Sequence, residues 1–321
     1  MWLSTDGARS PRTYRALMDS QPAPPIDLAS PKDKARSGLV TMNRVLVGFD
    51  ERPASRDALA LGKALCERTG AELIVASVRP YWPELIGPAE YERAAAEDEA
   101  WLGREAKKLL GEQTFSTNVI AGGHETAGLK EFAAAEEADV IVVGSTHRGR
   151  LGRVMPGSVG ERVLNNSPCA VAVAPLGLAE KGLRLERIAA AYDGSREASA
   201  ALGFAIELAR KTSASLLILG AVELNLEVTG LGAPTLDDVE VSRMQDHLER
   251  ARERVPRSVA VETRILRGPP NHVIAEAAEG ADLLVLGSRG HYGTARRLFL
   301  GSVATEVTRS APCATLITPA A

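Results

Sequence analysis

The chain contains the same unit twice, and this duplication constrains its fold more than any other feature. Each unit opens with a short apolar run that ends in an aspartate, Asp50 in the first copy and Asp193 in the second. A later apolar run ends in a Gly-Ser pair that starts at Gly144 or Gly287, and the spacing from aspartate to glycine is the same in both copies. Solenoid repeats are much shorter, so a register kept over this distance indicates duplication of a whole domain.

The length of the chain, 321 residues, accommodates two domains of ordinary size and an appendage. We predict a first domain over residues 42–176, a linker over 177–185 and a second domain over 186–321. Residues 1–41 contain several prolines and no sustained apolar periodicity. We therefore expect a disordered N-terminal tail.

Short apolar runs alternate with helical patterns in both copies, which predicts an α/β fold with a parallel sheet in each domain. The strands are expected over 45–49, 73–78, 115–121, 140–143 and 170–174 in the first copy and over 188–192, 216–221, 259–266, 283–286 and 314–318 in the second. We predict two tandem Rossmann-like domains, each a five-stranded sheet with helices on both faces. A strand order of 3-2-1-4-5 reverses the winding between strands one and four, and ligands bind at such a switch point.

Composition excludes several classes of function. The chain has 38 basic and 41 acidic residues, so it lacks the basic excess that nucleic-acid binding requires. No apolar run approaches the length of a membrane span, so we expect no membrane partner. The three cysteines, Cys66, Cys169 and Cys313, are far apart in the sequence. We interpret them as buried structural residues of a cytoplasmic protein, and we expect neither a disulfide framework nor a metal site.

A loop with glycines follows the fourth expected strand in each copy and ends in a second Gly-Ser pair. Glycine allows backbone N–H groups to approach an anion closely, and the helix that follows offers free N–H groups and a favourable dipole to phosphate. An ordinary turn with serine as the helix N-cap is the alternative, but recurrence in both copies favours a phosphate loop. The residues concerned are Gly144, Gly157 and Ser158 in the first copy and Gly287, Gly290, Gly301 and Ser302 in the second.

Taken together, these features resemble the universal stress protein family in its tandem two-domain form, over residues 42–321. ATP-binding members of the family show Gly, two residues, Gly, nine residues, and then Gly followed by Ser or Thr. The resemblance also rests on the opening strand that ends in Asp, on Asp193-Gly194-Ser195 and on the closing Pro-Cys strand. It implies HUP-type domains that bind an adenine nucleotide, ATP with Mg²⁺, at the switch point of one or both domains.

The resemblance also assigns roles to individual residues. Asp50 and Asp193 match the aspartate that faces the adenosine part of the nucleotide. Val78 and Ala221 match the residue that contacts adenine, mostly through its backbone. The glycine loops and the serines that follow them match the segment that holds the phosphates.

The two copies depart from the family's loop pattern in different ways. His147 replaces the second glycine of the first loop, where a side chain restricts the close approach of the backbone. The second loop keeps all three glycines but has ten residues between Gly290 and Gly301, one more than the pattern. Since a loop can absorb one residue by bulging, we expect the second domain to be the better ATP site.

The resemblance implies a stress-response regulator that binds a nucleotide without acting as a catalyst. Neither loop has the lysine of a Walker-A motif, and no nucleophile stands beside a catalytic base in the sequence. The alternatives are a nucleotide-free interaction module and an adenine-nucleotide hydrolase. The fold alone is not evidence for a hydrolase. The family also implies an internal pseudo-dimer through the two fifth strands, which hides their edges. A homodimer and an unidentified protein partner are further expectations.

Overall fold

The computed structural model describes residues 42–50, 52–80, 87–122, 125–145, 158–223, 236–288 and 301–319. Strands and helices alternate along these ranges. The strands are β1 (Arg44–Gly48), β2 (Glu72–Pro80), β3 (Ser116–Gly122), β4 (Val140–Gly144), β5 (Ala170–Ala174), β6 (Arg187–Ala191), β7 (Ser215–Val222), β8 (Val261–Arg267), β9 (Leu283–Gly287) and β10 (Ala314–Thr318). The helices are α1 (Pro53–Thr69), α2 (Pro88–Leu110), α3 (Glu125–Ala135), α4 (Ser158–Leu164), α5 (Leu178–Lys181), α6 (Arg196–Thr212), α7 (Leu236–Glu253), α8 (Pro270–Ala277) and α9 (Ser302–Ser310).

These strands form one ten-stranded sheet, in the order β3-β2-β1-β4-β5-β10-β9-β6-β7-β8. Each half of the sheet is parallel and has the predicted order 3-2-1-4-5. The halves meet where β5 and β10 pair in antiparallel orientation, with Leu316 opposite Ala172. The two fifth strands thus pair as predicted, and the two sheets become one. Because the central pair is antiparallel, the carboxyl edges of the two halves lie at opposite edges of the sheet.

Helices cover both faces of the sheet, and each face has its own apolar core. Val45 and Val47 of β1 point to the core formed with α1, α2, α6 and α7. Leu46, which lies between them, points to the core formed with α3, α4, α8 and α9. Strands buried on both faces are apolar throughout, which is why short apolar runs predicted them. None of the described helices is long and apolar enough to cross a lipid bilayer.

Local signals fix the start of the helix that follows the first strand of each half. Pro53 occupies the first turn of α1, where its missing N–H group leaves no hydrogen bond unmade. Ser195 is the N-cap of α6, and its side chain accepts a hydrogen bond from the Ala198 N–H group at 3.1 Å. Both helices therefore begin three residues after the aspartate that follows the preceding strand.

The predicted linker contains the short helix α5, and a buried carboxylate ties it to the first domain. Asp57 of α1 is only 3% exposed. Its Oδ2 accepts a hydrogen bond from the Gly177 N–H group at 3.0 Å, and its Oδ1 accepts one from the Ala179 N–H group at 2.9 Å. Hydrogen bonds of this charge-assisted kind compensate for the removal of the carboxylate from water.

Polar contacts at the surface also join the first half to the second half and to the linker. The Arg309 Nη2 atom lies 2.6 Å from Glu161 Oε1, which links α9 to α4. The Arg68 guanidinium donates a hydrogen bond to the Arg184 carbonyl at 2.8 Å. Exposed contacts of this kind contribute little free energy individually, so the paired strands and the shared cores hold the halves together.

We expect Asp57→Ala to lower the free energy of unfolding by about 2 kcal/mol, because it leaves two N–H groups of the linker without their acceptor. Urea denaturation followed by circular dichroism measures the change. Glu67→Ala, on the exposed side of the same helix, is the control and should shift the value by less than about 0.5 kcal/mol. Equal values for the two variants would contradict the role assigned to Asp57.

Candidate functional site

The residues predicted to bind a nucleotide lie at the carboxyl edge of each half, around its switch point. In the second domain, Asp193 follows β6 and Gly287 ends β9, and these two strands are neighbours. In the first domain, Asp50 follows β1 and Gly144 ends β4, again on neighbouring strands. The chain leaves each pair of strands toward opposite faces of the sheet, which opens a crevice between them.

Each aspartate organises the turn that follows its strand. The Asp193 Oδ1 atom accepts a hydrogen bond from the Ser195 N–H group at 2.9 Å, and Asp50 Oδ1 accepts one from the Arg52 N–H group at 2.8 Å. Both are Asx turns, in which the side chain replaces a backbone acceptor. Gly194 adopts a φ of 83° in the second turn, a conformation that favours glycine.

The two turns differ in what stands two residues after the aspartate. In the first domain the Arg52 guanidinium pairs with Asp50, and its Nε atom lies 2.5 Å from Oδ2. In the second domain the matching residue is Ser195, whose hydroxyl caps α6 instead. The position two residues after the aspartate therefore supplies a cation to the first turn and a helix cap to the second.

Backbone groups near the end of β2 face the first crevice. Phe49, just after β1, donates its N–H to the Ala76 carbonyl at 2.8 Å. Alternate residues of a strand direct their backbone groups to the same side, so those of Val78 face the same way as those of Ala76. Since β1 has ended at this level, Val78 presents one donor and one acceptor to the crevice. The Val78 side chain packs against α3, where a Cβ added at Gly128 would lie 3.2 Å from its Cγ1 atom.

The second domain repeats this arrangement at the end of β7. Tyr192 donates its N–H to the Leu219 carbonyl at 2.8 Å, two residues before Ala221. Met244 of α7 packs against this strand end, because a Cβ added at Gly220 would lie 2.5 Å from its sulfur atom. The backbone of Ala221 therefore borders a crevice with an apolar side chain close by.

The helix that covers each crevice brings different side chains to it. In the second domain, His247 of α7 lies against Gly194, where an added Cβ would be 2.0 Å from its Nδ1 atom. In the first domain, α2 places Trp101 next to Phe49, with ring centroids 6.0 Å apart. It also places Asp98 in an ion pair with Arg79, the residue after Val78.

The glycines that end the fourth strands are required by packing. A Cβ added at Gly144 would lie 1.8 Å from the Ala54 carbonyl oxygen, at the start of α1. A Cβ added at Gly287 would lie 2.8 Å from the Glu197 carbonyl carbon, at the start of α6. Real Cβ atoms do not approach backbone atoms so closely, so each glycine allows a helix to begin directly above the strand end.

A buried hydroxyl group without a partner lies at the start of α9. Ser288 is 9% exposed, and its Oγ atom has no hydrogen-bond partner among the described residues. Its carbonyl accepts a hydrogen bond from the N–H group of Gly301, the N-cap of α9. Gly301 supplies no side-chain cap, and Ser302 is exposed. Leaving such a hydroxyl unsatisfied costs about 1–3 kcal/mol, which a bound acceptor would remove.

Sequence reasoning did not assign Ser288, because the family's pattern leaves that position open. The signal was nevertheless present, since Ser145 and Ser288 follow the strand-ending glycine in both copies. Gly157, Gly290 and His147 lie outside the described residues, and for Ser158 only the backbone, which begins α4, is described. The roles assigned to these residues stay predictions.

The three cysteines are shielded from solvent to different degrees, and their thiols are protonated at neutral pH. Cys66 and Cys313 are buried, and Cys169 is partly buried. Burial raises the pKa of each thiol to about 12. Within the described parts of the chain, no three His, Cys, Asp or Glu side chains are grouped so as to hold a metal ion.

The fold and the crevices define a tandem α/β protein of the doubly wound class. The family model described as "Universal stress protein family" matches residues 41–175 and again residues 184–319. The chain belongs to the universal stress protein family.

A curated relative agrees with this assignment, and two solved structures share the fold. The universal stress protein Rv2319c of Mycobacterium tuberculosis is 28% identical over 299 residues, which cover 86% of this chain and 99% of the relative. The crystal structure of a universal stress protein from Archaeoglobus fulgidus covers 87% of this chain and 98% of its own, with a TM-score of 0.64 and 21% identity. A putative universal stress protein from Pseudomonas aeruginosa has a TM-score of 0.61 and 16% identity, over 87% of this chain and 94% of its own. Each of these two structures is similar to this chain in fold.

We expect the native protein to resist thiol reagents at pH 8. With a pKa of about 12, roughly one thiol in ten thousand is ionised at this pH, and the thiolate is the reactive form. Titration with a chromogenic disulfide should detect almost no thiol within minutes in the native protein, and three per chain in guanidinium chloride. Rapid reaction of all three thiols in the native protein would contradict the burial of Cys66 and Cys313.

Proposed function

We propose that the protein binds an adenine nucleotide, ATP with Mg²⁺, at the carboxyl edge of its second domain. The observation that carries the proposal is the unsatisfied Ser288 hydroxyl, which lies beside the N-terminus of α9 at a switch point. The residues proposed to contact the nucleotide are Asp193, Ala221, Gly287, Gly290, Gly301 and Ser302, together with Ser288.

The nucleoside would occupy the part of the crevice between β6 and β7. The Asp193 Oδ1 atom accepts the Ser195 N–H group, and ribose hydroxyls are donors that suit a carboxylate of this kind. One edge of adenine carries a hydrogen-bond acceptor next to a donor, and the backbone N–H and C=O groups of Ala221 match this pair. Met244, on the same side of the sheet, supplies apolar surface near the strand end.

The phosphates would occupy the part of the crevice next to α9. The free N–H groups and the dipole of a helix N-terminus favour negative charge. The hydroxyls of Ser288 and Ser302 add two donors. Mg²⁺ keeps much of its water and binds phosphate oxygens with few protein ligands, so it would arrive with the nucleotide.

The first domain is proposed to bind the same ligand more weakly. Asp50 and Val78 would meet the nucleoside, and Gly144, Gly157 and Ser158 the phosphates. We propose domain limits of 42–176 and 186–321, separated by a linker.

We further propose that the protein is a cytoplasmic regulator of the stress response and not a catalyst, with any ATP hydrolysis slow. A nucleotide-free interaction module, self-associating or bound to another protein, is the second candidate. One observation favours it: Gly144 and Gly287 are explained by packing against Ala54 and Glu197, so these glycines do not in themselves require a ligand.

We expect the purified protein to release about one adenine nucleotide per chain on denaturation, as measured by chromatography and mass spectrometry. Asp193→Ala should abolish the retained nucleotide by removing the ribose acceptor, and Gly301→Val should do so by blocking phosphate approach. Two nucleotides per chain would mean that both domains bind. Absence of nucleotide, together with no thermal shift on addition of Mg-ATP, would support the interaction module instead.

We expect Ser288→Ala to weaken ATP binding about tenfold, since a hydrogen bond to a charged group contributes about 1.5–3 kcal/mol. Its free energy of unfolding should not fall, because the hydroxyl has no partner among the described residues. Isothermal titration calorimetry and urea denaturation separate the two effects. Ser215→Ala, at the amino end of β7, is the control and should leave ATP binding unchanged. Unaltered affinity in Ser288→Ala would remove the observation on which the proposal rests.

A further inference from the structure

We propose that a cavity at the amino edge of the second half binds a free α-amino acid with an apolar side chain. The cavity has a volume of about 230 Å³ and lies where β6, β7 and β8 begin. The crevice bordered by Asp193 and Gly287 lies at the other end of the same strands. The inference is therefore independent of the proposed nucleotide site.

One face of the sheet forms the floor of this cavity. In the parallel register, Arg187 lies beside Ser215, and Leu217 lies beside Glu262. Alternate residues of a strand point to the same face, so all four side chains are on the face where Leu217 packs against the core formed with α8 and α9. The segment that joins α8 to β9 contributes Glu279 to the wall.

Two opposite charges line the cavity without pairing with each other. Neither the Arg187 guanidinium nor the Glu279 carboxylate forms a hydrogen bond or an ion pair with another described residue. Glu262 differs from them, because its Oε1 atom lies 2.7 Å from Nη2 of Arg264. Within the described parts of the chain, the cavity thus offers one cation and one carboxylate to a ligand.

The first half shows what the same arginine does when a carboxylate stands beside it. Arg44 occupies the position of Arg187, and its Nε atom lies 3.1 Å from Oε2 of Glu72. The Arg44 Nη1 atom also donates a hydrogen bond to the Glu136 carbonyl at 2.6 Å. Ser215 stands in the second half where Glu72 stands in the first. The exchange removes the carboxylate partner and leaves space beside the guanidinium.

The charges and the apolar surface together define the class of ligand. A guanidinium binds a carboxylate through two parallel hydrogen bonds, and the Glu279 carboxylate suits an ammonium group. An α-amino acid carries both groups on one carbon and can bury its side chain against Leu217 and Ala281. A simple anion is repelled by Glu279 and a simple cation by Arg187. The cavity is smaller than the pockets of roughly 300–1,000 Å³ that bind drug-sized ligands, which suits a molecule as small as an amino acid.

The probe for this site is L-leucine, titrated into the full chain and followed by saturation-transfer NMR. We expect a Kd in the millimolar range or below, because the charged side chains of the cavity are exposed to solvent. Two analogues each lack one charge: 4-methylpentanoate lacks the ammonium group, and 3-methylbutylamine lacks the carboxylate. Each analogue should bind at least about fivefold more weakly than leucine, since it loses one ion pair and leaves one side chain of the cavity without a partner.

Variants test the residues of the cavity. Ser215→Glu introduces the residue of the first half, which should pair with Arg187, fill part of the cavity and weaken leucine binding at least about fivefold. Arg187→Gln removes the cation and should weaken binding to a similar extent. Arg44→Gln is the matched control in the first half and should leave the Kd for leucine unchanged. Thermal melting followed by circular dichroism confirms that each chain folds.

Three results would overturn the inference. The first is the absence of leucine binding to the unaltered chain at millimolar concentrations. The second is an analogue that binds as tightly as leucine, because the cavity would then recognise a single charge and not an amino acid. The third is a Kd for leucine that stays within twofold in both Ser215→Glu and Arg187→Gln while these chains fold normally.

Discussion

The antiparallel contact between β5 and β10 is the constraint on which the rest of the molecule depends. Each half ends its sheet with a fully buried strand, and such a strand without a partner on its outer side leaves a row of backbone groups unpaired. The contact joins the two sheets and allows the cores on both faces to run across the boundary. It also determines that the two crevices open at opposite edges, so ligands in them would be separated by the length of the strands.

The sequence predicts much of this architecture because the responsible signals are local. Apolar runs buried on both faces identify the strands, and the repeated spacing from Asp50 to Gly144 gives the symmetry of the two halves. The Asp57 carboxylate was not predicted to hold the linker, because its two partners lie on a segment far away in sequence. Helix α5 is a single turn, too short for a periodic pattern to reveal.

The candidate site is only partly predictable for the same reason. The positions of Asp193 and Ala221 follow from the ends of strands, which the sequence marks. Whether a side chain at a strand end forms an ion pair or a hydrogen bond depends on how the helices pack around it. Arg79 meets Asp98 because α2 packs against β2, and the Ser288 hydroxyl lacks a partner among the described residues because of what surrounds it. Neither relation is present in a motif.

The contact between Gly287 and the start of α6 has a consequence for how such chains diverge after duplication. A glycine that is needed for a helix to sit above a strand is maintained by selection on folding, whatever happens to the ligand. A daughter domain can therefore lose its ligand and still display the first glycine of the motif for as long as it folds. In tandem chains of this kind, the history of binding is better traced through residues such as Ser288, whose buried hydroxyl costs free energy in the empty domain and becomes favourable when a ligand accepts its hydrogen bond.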